Sequence, residues 1–166
     1  TGIGTDVGKT IVSSIVVKAL NAAYWKPIQC GSLDYKDSDL VSDLTGCEII
    51  LEKYLFSTPA SPYQASVEEN KKINKISLPD FDSDYLVIEG AGGLYVPITK
   101  NYFMIDLIAD LNIPVILVSR NYVGAINHTL LSLQALENKR IKDVSLIFSG
   151  GINEYNKTYL SESRNI

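Results

Sequence analysis

A chain of 166 residues, 46% of them apolar and 20% charged, has the balance of one globular domain around a single core. Nineteen acidic against fifteen basic residues leave a net charge of −4, and the lysines are scattered, so a nucleic-acid partner, which needs a clustered basic face, is not expected. Cys30 and Cys47 have no paired spacing and His128 stands alone, so neither a zinc site nor a disulfide framework is indicated. No apolar run reaches the roughly 18 residues of a membrane span and no basic-then-apolar leader is present, so a cytoplasmic chain without a membrane anchor is expected.

The first element is a loop, Gly2-Ile3-Gly4-Thr5-Asp6-Val7-Gly8-Lys9-Thr10. Its glycines let backbone amides turn inward on a triphosphate, the helix that follows directs its positive end there, Lys9 supplies a point charge, and the Thr10 hydroxyl suits Mg²⁺. Five residues rather than the usual four separate Gly2 from Gly8, so the loop is a lengthened variant. A loop of this kind follows a buried strand, which predicts a strand ahead of Gly2. Thr10–Ala22, with Ile11, Ile15 and Leu20 among small residues, predicts a helix packed on a sheet. Ala23–Gln29 reads as a strand, and the acidic stretch Asp34–Thr45, carrying Asp37, Asp39 and Asp43, as a loop with a short helix. Ser61-Pro62-Tyr63-Gln64 is a helix start, with Ser61 as cap and Pro62 in the first turn, and the helix is expected to run to about Lys72.

Further on, Asp84–Glu89 holds Tyr85, Leu86, Val87 and Ile88 in a row, the pattern of a strand buried on both faces, and Gly90-Ala91-Gly92-Gly93 breaks it. Met104, Ile105, Leu107, Ile108 and Leu111 recur at helical spacing, and Pro114–Ser119 is another buried strand. A helix is predicted over Gly124–Glu137 and a last strand over Val144–Phe148, before a polar run from Asn153 to Lys157. With no closing apolar element before Ile166, more chain is expected to follow. Strands alternating with helices imply right-handed βαβ units in a doubly wound, mostly parallel α/β sheet, one domain over 1–166.

The residues suited to chemistry fall at or just past strand ends, the edge where open parallel sheets bind ligands. Mg²⁺ takes hard oxygen ligands, which directs attention to carboxylates there: Glu89, ending an apolar strand before a glycine run, is the first candidate and Asp39 the second. Lys26, followed by Pro27 at the active edge of its strand, is placed to meet a phosphate or carboxylate.

Taken together, Val7-Gly8-Lys9-Thr10, Lys26-Pro27, Ser38-Asp39, Ser61-Pro62-Tyr63, Glu89-Gly90-Ala91-Gly92-Gly93 and Gly124-Ala125-Ile126-Asn127-His128 resemble, in order and rough spacing, the motifs of dethiobiotin synthetases. The resemblance implies a cytoplasmic cyclo-ligase of biotin synthesis. In that family, 7,8-diaminopelargonate takes up CO₂ as a carbamate, the carbamate attacks the γ-phosphate of ATP, and the second amine closes a ureido ring. It further implies that Thr10, Asp39 and Glu89 hold Mg²⁺, that Gly4 to Thr10, Glu89, Gly92 and Ser149 face the nucleotide, and that Lys9 and Lys26 neutralise charge during the reaction. Substrate contacts fall to Lys26, Cys30, Ser61 and the helix start Gly124, Ala125, Ile126 and Asn127, the last group reaching the substrate tail across a two-fold dimer interface. Three positions depart from the family pattern: Tyr63 where histidine is usual, Cys30 where a hydroxyl is common, and Ser149 where an asparagine often reads adenine. Two other readings share parts of the pattern. A cobyrinate-type amide ligase adds a glutaminase domain, and a ParA-like partition switch adds a second loop lysine that Thr1–Val7 lacks.

Overall fold

Among the described residues, four of the five strand pairings are parallel, as the alternation of strands with helices requires. The computed structural model describes residues 1–151 and 153–164; Ile166, where the sequence reading places an open end, lies outside them. Strand β1 (Ala23–Trp25) lies between β3 (Ile49–Ile50) and β5 (Leu86–Ile88), and β2 (Ile28–Cys30) pairs with β4 (Tyr54–Phe56). Strand β8 (Val115–Arg120) pairs in register with β9 (Val144–Ser149). The antiparallel pair is the short hairpin β6 (Pro97–Thr99) and β7 (Tyr102–Phe103).

Residues 1–3 join the two parallel halves. Val118 donates to the Thr1 carbonyl and accepts from Ile3 N, each at 3.0 Å, while Gly2 bridges both Gly93 and Val118. The phosphate loop therefore leaves the middle of the sheet at the C-terminal edge, between β5 and β8. Behind it, β5 and β8 flank an apolar cleft of about 460 Å³, lined by Leu86, Ile88, Val115 and Ile116 with Leu20 and Met104.

Helices α1 (Lys9–Leu20), α2 (Asp37–Thr45), α3 (Pro62–Glu68), α4 (Met104–Leu111), α5 (Ala125–Asn138) and α6 (Glu154–Arg164) complete the fold. The chain stops several of them by entering the left-handed region, at Asn21, Gly46 and Asn112. Among the described residues no helix is long and apolar enough to cross a membrane.

The structure revises several sequence expectations. Ala23–Gln29 is two strands in separate sheets, because Pro27 has no N–H to donate and its carbonyl turns to Lys53 and Tyr54. In α1 the predicted core face is the exposed one: Ile11, Ile15 and Leu20 are 46–63% accessible, and Val12 and Val17 are buried instead. The helix at Ser61 ends at Glu68, since Asn70 turns left-handed and Glu69 reaches back to Thr58 N. β5 is half-buried, one side lining the apolar cleft. The polar run from Asn153 opens α6, which buries Leu160.

Candidate functional site

A cleft of about 990 Å³ lies over the C-terminal ends of the strands, with the loop, the start of α2 and the 59–62 segment around it. At its floor Gly8 takes φ 88°, where a Cβ would stand 2.7 Å from Ser149 Oγ, so both conformation and space demand glycine. Ser149 Oγ donates to the Val7 carbonyl, and Val7 itself packs its side chain with Val12 and Val118. Arg120, at the end of β8, donates to the Asp6 carbonyl at 2.9 Å. The loop is thus tied from below by β8 and β9, leaving Thr5 and Asp6 facing the cleft.

Lys9 begins α1 and donates from Nζ to the Gly4 carbonyl at 2.8 Å. Burial lowers its pKa from the ordinary value, with the Glu89 charge acting in the opposite sense. Thr10 Oγ1 lies 2.8 Å from Asp37 Oδ1 and 3.0 Å from Glu89 Oε1. One hydroxyl proton serves one acceptor at a time, so two carboxylates converge on a single point beside the loop. Lys26 Nζ is ion-paired with Asp37 Oδ2 and lies 3.7 Å from Glu89 Oε1. Glu89 is 2% exposed and hydrogen-bonded through Oε2 to the Tyr24 hydroxyl at 3.0 Å. Burial of so many charges is tolerable because Lys9 and Lys26 balance Asp37 and Glu89. Burial opposes ionisation of Asp37, but the Lys26 ammonium and hydrogen bonds from Lys26 and Thr10 outweigh it and hold the carboxyl below its usual range.

Thr10, Asp37 and Glu89 offer three hard oxygen donors at one place, which fits Mg²⁺ accompanying a triphosphate. Asp39, the carboxylate picked from sequence, does not join them. It accepts from Lys36 N at 2.8 Å and from Lys36 Nζ at 3.2 Å, holding the first turn of α2. Those bonds from Lys36 lower its pKa. Asp37 occupies the site because it is the first residue of that helix, and positions two apart on a helix point about 200° from each other.

Of the predicted substrate residues, Lys26, Cys30 and Ser61 line the cleft; Tyr63, which departs from the family pattern, does not. Burial pushes the Cys30 thiol up to about 11. Ser61 caps α3 by accepting from Gln64 N, as its position before Pro62 predicts. Gly92 lines the cleft at φ 62°, where a Cβ would meet Val96 Cγ2 at 2.6 Å. Gly124, Ala125, Ile126 and Asn127 are not part of the lining: they open α5 beyond it, with Gly124 at φ 96° and no side-chain cap. Beside them the Tyr122 hydroxyl meets His128 Nδ1 at 2.7 Å. Tyr24, Asp37 and Arg120 are the contributors that motif reading missed.

Loop, strand-end carboxylates and parallel sheet define an ATP-binding α/β domain, and the whole chain, residues 1–166, matches the family described as AAA domain. The chain is 48% identical over 155 residues to the ATP-dependent dethiobiotin synthetase BioD of Christiangramia forsetii, covering 90% of this chain and 74% of that one. To the proteins of the same name from Lawsonia intracellularis and Brucella anthropi it is 46% and 43% identical, over 93% and 90% of this chain and 76% and 73% of theirs. The chain belongs to the dethiobiotin synthetase family.

Proposed function

We infer that this chain is a ligase that uses ATP to close a ureido ring on 7,8-diaminopelargonate with CO₂, giving dethiobiotin. The observation that carries the reading is the meeting of Lys9, Lys26, Thr10, Asp37 and Glu89 at the mouth of the phosphate loop. Phosphoryl transfer to a carbamate asks a protein mainly for positioning and charge neutralisation, and this cluster has groups for both.

The loop amides and the α1 N-terminus bind the phosphates, and Lys9, now bonded to the Gly4 carbonyl, turns to them. Thr10, Glu89 and a carboxylate from the first turn of α2 would hold Mg²⁺, which would supply positive charge against the negative charge of the nucleotide. Asp37 stands nearest that position and Asp39 is the residue the motif resemblance favours. Lys26 exchanges Asp37 for the carbamate and γ-phosphate oxygens, so its charge is neutralised at every stage. The diamine lies along Cys30 and Ser61.

The enzyme is proposed to act in the cytoplasm as a homodimer. The uncapped start of α5 supports a composite site, because its free amides and positive dipole end suit the carboxylate tail of a substrate held mainly by the other subunit. The test is phosphate release by purified protein with MgATP: it should require both diaminopelargonate and bicarbonate. Release supported by a corrinoid acid and an amide-nitrogen donor instead would assign the chain to the amide ligases.

A further inference from the structure

We propose that Tyr24 is a positioning residue for the metal site, acting through Glu89: its phenol holds Oε2 so that Oε1 stays turned toward Thr10. This rests on the reading of Glu89 as a metal ligand.

The placement follows from the sheet. Tyr24 is the middle residue of β1 and lies opposite Val87 of β5. Alternate residues of a strand share a face, so Val87 and Glu89 point the same way, and a side chain as long as tyrosine reaches diagonally from one to the other. The Tyr24 hydroxyl accordingly lies 3.0 Å from Glu89 Oε2, while Glu89 Oε1 is 3.0 Å from Thr10 Oγ1. Glu89 is anchored a second time by its backbone N–H, which donates to the Trp25 carbonyl at 2.9 Å.

Tyr24 is wholly buried, its ring packed with Val17 and Val41 between the sheet and helices α1 and α2. A ring so held has no freedom to swing away. A buried hydroxyl also needs a partner, and Glu89 supplies it, so each group satisfies the other. Lys26, 3.7 Å from Oε1, would otherwise compete for the carboxylate and rotate it off the metal position.

Outer partners that orient metal ligands typically change metal affinity by about 10–100-fold when removed. For Tyr24→Phe, which deletes one oxygen and keeps the ring, we expect the low end, about a tenfold rise in the Mn²⁺ dissociation constant. The measurement is the free-Mn²⁺ electron paramagnetic resonance signal, titrated in the presence of a non-hydrolysable ATP analogue. Affinity for the analogue in EDTA should not change. In a Glu89→Gln background the same deletion should have no further effect on Mn²⁺. Loss of Mn²⁺ affinity in Glu89→Gln but not in Tyr24→Phe would reduce Tyr24 to packing. An equal loss from Tyr24→Phe in both backgrounds would show that it does not act through Glu89, and unchanged affinity in Glu89→Gln would remove the ligand reading itself and the proposal with it. Should Tyr24→Phe lack native circular dichroism, 3-fluorotyrosine at position 24 takes its place. Its ¹⁹F resonance should move when Mg²⁺ is added to the nucleotide complex and stay still in Glu89→Gln; no movement in the otherwise native protein overturns the assignment.

Discussion

Around Thr10, two lysines and two carboxylates are packed so that Lys9, Lys26 and Glu89 are each no more than 8% exposed. At the start of α5, by contrast, Val123 is fully exposed, Gly124 is uncapped, and Gly124–Asn127 lie outside the cleft. Buried charges cannot wait for a ligand to balance them, so the phosphate end carries its own counterions within one chain. An exposed helix N-terminus has no such constraint, because water satisfies its amides until something better arrives. The first region therefore carries its own balance of charge, and the second leaves its helix start to solvent.

The largest effects are expected where the buried charges are broken. Lys26→Ala should lower kcat by about 10²–10³, the loss usual for one group that stabilises transition-state charge. It should also lower stability by about 3 kcal/mol, the low end for breaking a buried pair, because Asp37 and Glu89 are left facing each other and Asp37 is partly solvated. Lys9→Ala should lose turnover comparably with a smaller loss of stability, since Lys9 Nζ bonds a carbonyl and balances Glu89 and Asp37 only from farther away than Lys26 does. Equal melting temperatures for the two variants would contradict the picture of a self-balanced charge cluster.

Next in size is the contrast between neighbours on α2. Asp37→Asn should raise the Mg²⁺ requirement and depress turnover about tenfold, whereas Asp39→Asn should leave the Mg²⁺ titration near normal. The reverse order would mean that the first turn of α2 rotates when nucleotide binds, bringing Asp39 to Thr10 and releasing Asp37.

That contrast shows where sequence reading reaches its limit. The loop, Lys26 and Glu89 were legible because glycine, lysine and an abrupt charge after an apolar strand are local signals. Choosing between Asp37 and Asp39 needs the phase of a helix that begins between them and Lys36, and a two-residue step reverses its face. The face of α1 was misread for a related reason. Ile11 and Ile15 repeat at helical spacing, but so do Val12 and Val16, and periodicity alone does not say which pair meets the sheet. Tyr24 looked like one more apolar strand residue until the register with Val87 placed its hydroxyl on Glu89. The short strands β3, β4, β6 and β7 have two or three residues each, too few for an alternating pattern to register.

A mixing experiment addresses the α5 side. If each site joins Lys9 of one subunit to Asn127 of the other, a Lys9→Ala and Asn127→Ala heterodimer carries one intact site and one doubly defective one. Random exchange of equal amounts makes half the dimers mixed, so about a quarter of native activity should return. No recovery, with subunit exchange confirmed by mass, would confine the site to a single chain.

The smallest effect expected is a pH dependence confined to the phosphate end. Asp37 has a folded-state pKa held below its ordinary value of 3.8, the Lys26 charge and bonds from Lys26 and Thr10 outweighing burial. A carboxyl whose pKa is depressed by folding adds stability that is fully present above its unfolded pKa and is lost as pH falls through the folded one. The stability difference between the native protein and Asp37→Asn should therefore be constant from neutrality down to about pH 5 and shrink only below about pH 4. Taking the difference cancels the other carboxylates that folding also makes more acidic, Asp39, Glu69 and Asp106, all of which lie away from this cluster. Urea unfolding at a series of pH values measures it. A difference that already closes between pH 7 and 5 would mean that Asp37 is protonated far more readily than its contacts with Lys26 and Thr10 allow, and that the cluster is not balanced in the way its geometry indicates.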